Sequence, residues 1–174
     1  AQSNLPLQKK MRLVRVTLDI LQKKFFHCEL KEDDFRLANH VVENTVLVLG
    51  TINDGAALIE SLQGISDEFY AHSSAVSMLS TMIAKKLHWT STTALRKIAM
   101  AGLFHDIGKR DFPKDVLKIP RDKLTEGQLK LYETHPIFGA EILKRSKIIP
   151  IDVVHAVLQH HEYLDGSGFP SGLR

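Results

Sequence analysis

Cysteine is nearly missing from this chain. Cys28 is the only one among 174 residues. That excludes an intrachain disulfide, argues against a zinc site built on thiolates, and fits a reducing, cytoplasmic compartment. Long apolar runs are missing too. The densest, "NTVLVLG", is far too short to span a membrane, and no signal-peptide pattern opens the chain. There is no alternating strand of useful length, no hairpin signal, no internal repeat and no low-complexity stretch. Charge is only mildly one-sided, with a net +3 and a pI of about 9.0. This leans towards anionic ligands, although solvated surface lysines explain it as well. What remains is ordinary for a globular protein: 44% hydrophobic and 25% charged residues. A start at Ala1 rather than Met suggests a fragment.

What is present reads as helix after helix, so the expected fold class is all-α. "MRLVRVTLDILQKKFF" places Leu13, Val16, Thr17, Ile20 and Leu21 on one helical face. "DDFRLANHVVENTVLVLG" begins with acids and stops at Gly50. "NDGAALIESLQG" predicts a shorter helix. Ser66 is placed to cap "DEFYAHSSAVSMLSTMIAKKL", with Asp67 and Glu68 in its first turn. Ser91 or Thr92 starts "TALRKIAMAGLFHD". Thr125 and Gln128 form a capping-box pattern. His135 precedes Pro136 and is expected where a helix begins. Asp152 is expected to cap "VVHAVLQHHE". A soft boundary near "LQGISDEF" divides residues 1–64, a helical region expected to pack on the core or form a dimer contact, with a regulatory role as the alternative, from residues 65–174.

The chemistry lies in that second part. Nine histidines are present; His27, His40, His88 and His155 stand alone and read as surface or satisfied core residues. The other five have company. Glu68 and His72 are four apart, hence on one helical face, as a ligand pair or as a simple surface pair. "GLFHDIGK" brings His105 and Asp106 to the end of an apolar helix, where a carboxylate can bridge two cations. Gly108 then turns the chain, and Lys109 has room to reach an anion. His135 stands at a helix start. His160 and His161 form a doublet that is costly to bury without ligation or hydrogen bonds, with Glu162 placed to hold an imidazole N–H from the second row. This is more imidazole than one ion needs. Two cations about 3.5–4 Å apart would use it and would activate a water for phosphoryl displacement. Nitrogen and oxygen ligands without thiolates suit iron, manganese, zinc or nickel.

"HDIGK", "HPIFG" and "HHEYLDGSGFPSGL", in this order, resemble the HD-GYP family of metal-dependent phosphohydrolases. The likeness runs from about Ser66 to Arg174. It implies an HD-superfamily helical bundle, here with an N-terminal helical extension, around two metal ions, usually iron. It implies hydrolysis of cyclic di-GMP to a linear dinucleotide or GMP. By resemblance, Asp106 and Lys109 are catalytic, and Glu68, His72, His105, Asp106, His135, His160 and His161 are ligands. A third ion becomes available if Glu68 and His72 both bind. The turn Asp165, Gly166, Gly168, Phe169 and Pro170 would form a rim for substrate or for a signalling-protein partner. The expected ligand is a cyclic dinucleotide or another phosphoester, not a nucleic-acid polymer; no membrane partner is expected, and a homodimer is compatible.

Three departures from the family pattern matter. Phe169 stands where the family has tyrosine, so a hydroxyl is lost. Tyr163 and Ala75 stand where basic residues are usual. Further helices, with another aspartate ligand and basic substrate-binding residues, would be expected after Arg174. These departures keep an alternative open: a binding or signalling module that retains the metal centre without turnover.

Overall fold

The computed structural model of the chain describes residues 5–51 and 68–174. The helix expected from "NDGAALIESLQG", the Ser66 cap and the boundary at residue 64 all lie outside the described residues. Among the described residues every regular element is a helix or a 3-10 turn, as the sequence predicts. None of these helices is long and apolar enough to cross a membrane. The chain divides into two compact units, residues 1–103 and 104–174.

The first unit carries α1 (Leu7–His27), α2 (Glu32–Gly50), α3 (Glu68–Lys86) and most of α4 (Thr92–Phe104). The buried stripe of α1 is Met11, Val14, Leu18, Leu21 and Phe25, spaced by threes and fours as one helix face requires. Phe25 meets Phe35 of α2 edge to face, with ring centres 5.3 Å apart. The expected face is therefore only partly the buried one. Leu21 is inside, but Leu13, Val16 and Ile20 are 56%, 43% and 62% exposed. Helix α1 has two apolar stripes, and the one holding Phe25 packs because an aromatic partner waits for it. At the start of α2, Asp34 accepts from the Lys31 amide at 2.9 Å and pairs with Lys24 at 2.5 Å. Ser91 caps α4 through the amide of Ala94. Helices α3 and α4 meet closely: a Cβ on Gly102 would stand 2.8 Å from Ser77 Cα, and Ser77 Oγ donates to the Ala99 carbonyl at 2.6 Å.

The second unit follows with a 3-10 turn (Ile107–Asp111), α5 (Lys114–Leu117), a second 3-10 turn (Arg121–Lys123), α6 (Glu126–Tyr132), α7 (His135–Lys144) and α8 (Ile151–Gln159). The capping box at α6 forms as expected, with Thr125 and Gln128 satisfying each other's amides. Helix α7 opens on His135-Pro136. Pro150, not Asp152, holds the cap position of α8, and Asp152 sits in its first turn instead, still where an acid suits the helix dipole. Leu143 of α7 and Val153, Val154 and Val157 of α8 are fully buried. The first 3-10 turn lies directly on α7. A Cβ on Gly108 would collide with the His135 carbonyl and stand 2.6 Å from the Gly139 amide. Glycine is required there because backbone touches backbone.

Candidate metal centre

Helix α4 stops at Phe104, and the change to 3-10 geometry puts Lys109 one tight turn after Asp106. The Lys109 amide donates to the Asp106 carbonyl at 2.9 Å. Its ammonium donates to Asp106 Oδ2 at 2.8 Å, with both side chains less than a tenth exposed. His105 Nε2 lies 3.5 Å from the same oxygen. A buried carboxylate and a buried ammonium thus neutralise each other, while the other carboxylate oxygen faces elsewhere.

That other oxygen, Oδ1, faces two imidazoles. His135 Nε2 is 3.2 Å from it and His160 Nε2 is 3.8 Å from it. The two Nε2 atoms are 3.1 Å apart. Their tautomers follow from the far side of each ring. His135 Nδ1 lies 2.6 Å from the Tyr132 carbonyl, and His160 Nδ1 lies 2.7 Å from the Val157 carbonyl. A carbonyl only accepts, so each Nδ1 carries a proton, and the neutral form of each ring presents a bare Nε2 inward. Asp106 Oδ1 and two imidazole Nε2 atoms therefore converge on one point. Asp106 Oδ1 is buried without a hydrogen bond, and so is His161 Nε2. Ligand atoms of Asp106, His135, His160 and His161 all lie within 4.8 Å of one another. Orphaned buried acceptors in one cluster are what a cation would satisfy.

The electrostatics agree. Burial pushes His160 down to about 3, and His161, His105 and His135 add to the effect. Burial and then His135 take His161 to about 4, against the pull of Asp106. Both rings are thus neutral at pH 7, the form that binds metal. Burial alone would raise Asp106, but His135, His105 and Lys109 outweigh it and hold the carboxyl well below the usual carboxylate range.

Beyond the doublet the chain folds back on itself. The Phe169 ring stacks on His161, centres 4.4 Å apart and planes 24° apart, and meets His135 edge-on at 6.1 Å. The Arg121 guanidinium lies 5.6 Å from the Phe169 ring centre. Phe169 is half-buried. Gly166 has φ +80°, and a Cβ on Gly168 would collide with the His161 carbonyl and stand 2.5 Å from Glu162 Cα. Asp165 accepts from the Ser167 amide at 2.9 Å and from its hydroxyl at 2.6 Å, so it ties the turn together. Glu162 accepts from the amides of Ser171 at 2.7 Å and Leu173 at 2.9 Å. It holds this loop, not an imidazole; the N–H groups of His135 and His160 go to carbonyls one helical turn earlier, which are nearer and already aligned.

Glu68 and His72 belong to α3 in the first unit. The Glu68 side chain is outside the described residues, and His72 is exposed. Sequence reasoning missed Tyr132. Besides its carbonyl, its hydroxyl lies 3.2 Å from Lys109 Nζ, and that ammonium sits 4.6 Å from its ring centre. The one available signal was its place three residues before His135, close enough for its carbonyl to meet that ring across the turn between α6 and α7.

Residues 56–174 match the HD domain family. A cyclic di-GMP phosphodiesterase of Pseudomonas aeruginosa, PA4108, is 40% identical over 109 residues, covering 62% of this chain and 26% of that protein. The cyclic di-GMP phosphodiesterase response regulator RpfG of Xanthomonas campestris is 38% identical over 125 residues, 71% of this chain and 32% of its own length. A 3'3'-cGAMP-specific phosphodiesterase of Vibrio cholerae is 27% identical over 177 residues, 93% of this chain and 38% of its own. The chain thus spans well under half the length of these curated relatives. Among solved structures, Bd1817, an HDG"Y"P protein from Bdellovibrio bacteriovorus, has the same fold. The TM-score is 0.82 at 23% identity, covering 99% of this chain and 56% of that one.

Proposed function

The chain belongs to the HD domain family, and to its HD-GYP branch, and from that premise we propose that it is a metal-dependent phosphodiesterase acting on cyclic dinucleotides, cyclic di-GMP first. One observation carries the reading: Asp106 Oδ1, His135 Nε2 and His160 Nε2 converge while the opposite ring nitrogens are held by carbonyls. The relatives named as cyclic di-GMP and 3'3'-cGAMP phosphodiesterases support the choice of substrate.

We assign Asp106, His105, His135, His160 and His161 as ligands of two ions, with Asp106 between them. Its Oδ1 faces His135 and His160 while its Oδ2 faces His105, which supports a bridging role. Iron leads the assignment through the family resemblance, and the mixed nitrogen and oxygen donors also admit manganese, zinc or nickel. Such ions supply Lewis acidity and a water acidic enough to attack at neutral pH. The protein does the rest. Lys109 is the buried cation beside the cluster and would neutralise a non-bridging phosphoryl oxygen. His135 and His160 keep their ligand tautomers because Tyr132 and Val157 hold the opposite protons. The 163–170 turn, with Phe169 against His161, borders the substrate.

The test is elemental analysis of anaerobically purified protein joined to hydrolysis assays on cyclic di-GMP and 3'3'-cGAMP. Metal with turnover is expected, and Lys109→Ala should keep the metal and lose on the order of a hundredfold in rate. Fully iron- or manganese-loaded protein that hydrolyses neither dinucleotide defeats the enzyme reading. Phe169, which brings no hydroxyl to the site, favours one second reading: a binding module that keeps the metal without turnover and uses the Gly168–Pro170 turn as the contact for a signalling partner.

A further inference from the structure

We propose that Tyr132 is a second anion donor at this site, giving its phenolic proton to the same phosphoryl oxygen that Lys109 neutralises. The inference rests on the phosphodiester reading above but is tested apart from it.

The reasoning starts at Lys109. Its ammonium is only 7% exposed and has three hydrogens to place. One goes to Asp106 Oδ2 at 2.8 Å and one to Tyr132 Oη at 3.2 Å. A phenol that accepts from an ammonium still owns its O–H. Among the described residues no acceptor takes that proton. A hydroxyl beside a cation, with its own hydrogen unspent, is a donor waiting for an anion.

The placement is equally particular. The Tyr132 ring lies 5.1 Å from the His135 ring and 6.5 Å from the His161 ring, so the phenol belongs to the histidine cluster. The residue is half-buried, hence reachable from solvent. Its backbone carbonyl accepts from His135 Nδ1, while its ring packs on the His135 ring and its hydroxyl on Lys109. Charge completes the argument. Asp106 and Lys109 pair at 2.8 Å and cancel, so any divalent cation held here leaves the site positive. The ligand it calls for is a tetrahedral phosphoryl oxyanion, from a phosphoester or from inorganic phosphate. Phe169 offers no hydroxyl to that ligand, whereas Tyr132 does.

The experiment uses the full chain, metal-loaded, with Tyr132→Phe as the variant. This change keeps the ring beside Lys109 and the carbonyl on His135 and removes only the hydroxyl. Inorganic phosphate is the probe, titrated calorimetrically, with metal content measured in parallel and KM and kcat followed on cyclic di-GMP. The expected result is unchanged metal and about tenfold weaker phosphate affinity, the size of one good hydrogen bond. In a Lys109→Met background the same change should have little further effect, since the phenol would no longer be held. Unchanged phosphate affinity overturns the proposal, as does loss of metal in Tyr132→Phe or a wild type that binds no phosphate at millimolar concentration. Phosphate binding through Tyr132 without turnover of a cyclic dinucleotide would remove the substrate reading and leave this assignment standing. Turnover with equal phosphate affinity in both proteins would do the reverse.

Discussion

Asp106 Oδ1 and His135 Nε2 are 3.2 Å apart, and the buried Oδ1 has no hydrogen-bond partner. A carboxylate oxygen and an imidazole nitrogen held this close can both be satisfied by one cation.

Asp106→Asn should therefore remove bound metal, because the bridging charge is lost while the shape is kept. Adding manganese to chelator-treated wild type should raise the melting temperature, as any ligand specific for the folded state does. In the variant it should not. Full metal occupancy in Asp106→Asn would contradict the bridging role.

Acid should weaken the metal-free protein before ordinary carboxylates titrate. His160 and His161 stay neutral in the fold down to about 3 and about 4, whereas in the unfolded chain they take up protons below about pH 6.5. The unfolded state thus binds more protons across that window, and stability falls as pH falls through it. Above about 6.5 their contribution is complete; Asp106, held ionised, adds its loss only below about 3.9. Denaturant unfolding of chelator-treated protein at pH 7.5, 6 and 5 reads this directly. A flat profile would show that the rings are not held neutral.

Gly108→Ala should be worse than a surface substitution. Its methyl meets the His135 carbonyl and the Gly139 amide, both backbone, so neither can step aside through a rotamer. A cost of at least about 1–3 kcal/mol is expected, together with loss of metal, because the turn carrying Asp106 must move away from His135. Thermal unfolding and elemental analysis check both halves. Native stability with full metal would mean that the contact is looser than described.

Phe169→Ala should weaken metal binding without abolishing it. The ring stacks on His161 at 4.4 Å, and such a contact contributes about 1 kcal/mol, or about fivefold in metal affinity if it orients the ligand. Phe169→Tyr should leave metal affinity alone. Competition with a chromophoric chelator gives the numbers, and equal affinities in Phe169→Ala and wild type would show that the stack orients nothing.

Much of this was legible in the residues. The doublet His160-His161 betrayed itself because two imidazoles on an apolar helix need a reason to be buried. The capping box at Thr125 did so because its partners are local, whereas the expected helix end at Gly108 lies earlier, at Phe104, and Gly108 sits inside a 3-10 turn against α7. Other features depended on tertiary choices. Helix α1 has two apolar stripes, and only the packing of Phe25 on Phe35 says which is inside. Glu162 looked like a partner for an imidazole N–H, yet its carboxylate takes the amides of Ser171 and Leu173 that the returning chain presents. Tyr132 was missed because its importance lies in a carbonyl and in the reach of Lys109, neither of which a residue type reveals.

Glu162 has a kinetic consequence. Its two oxygens hold the amides of Ser171 and Leu173, while the Phe169 amide donates to the His161 carbonyl and the Gly166 amide to the Tyr163 carbonyl. The loop after the histidines is thus tied at its base and across its middle before any ligand arrives, with Leu164 fully exposed at its tip. Its ordering entropy is spent during folding, not during binding. An incoming anion meets a finished surface, so its association should be one concentration-dependent phase governed by diffusion and charge, with no slower loop-closing phase behind it.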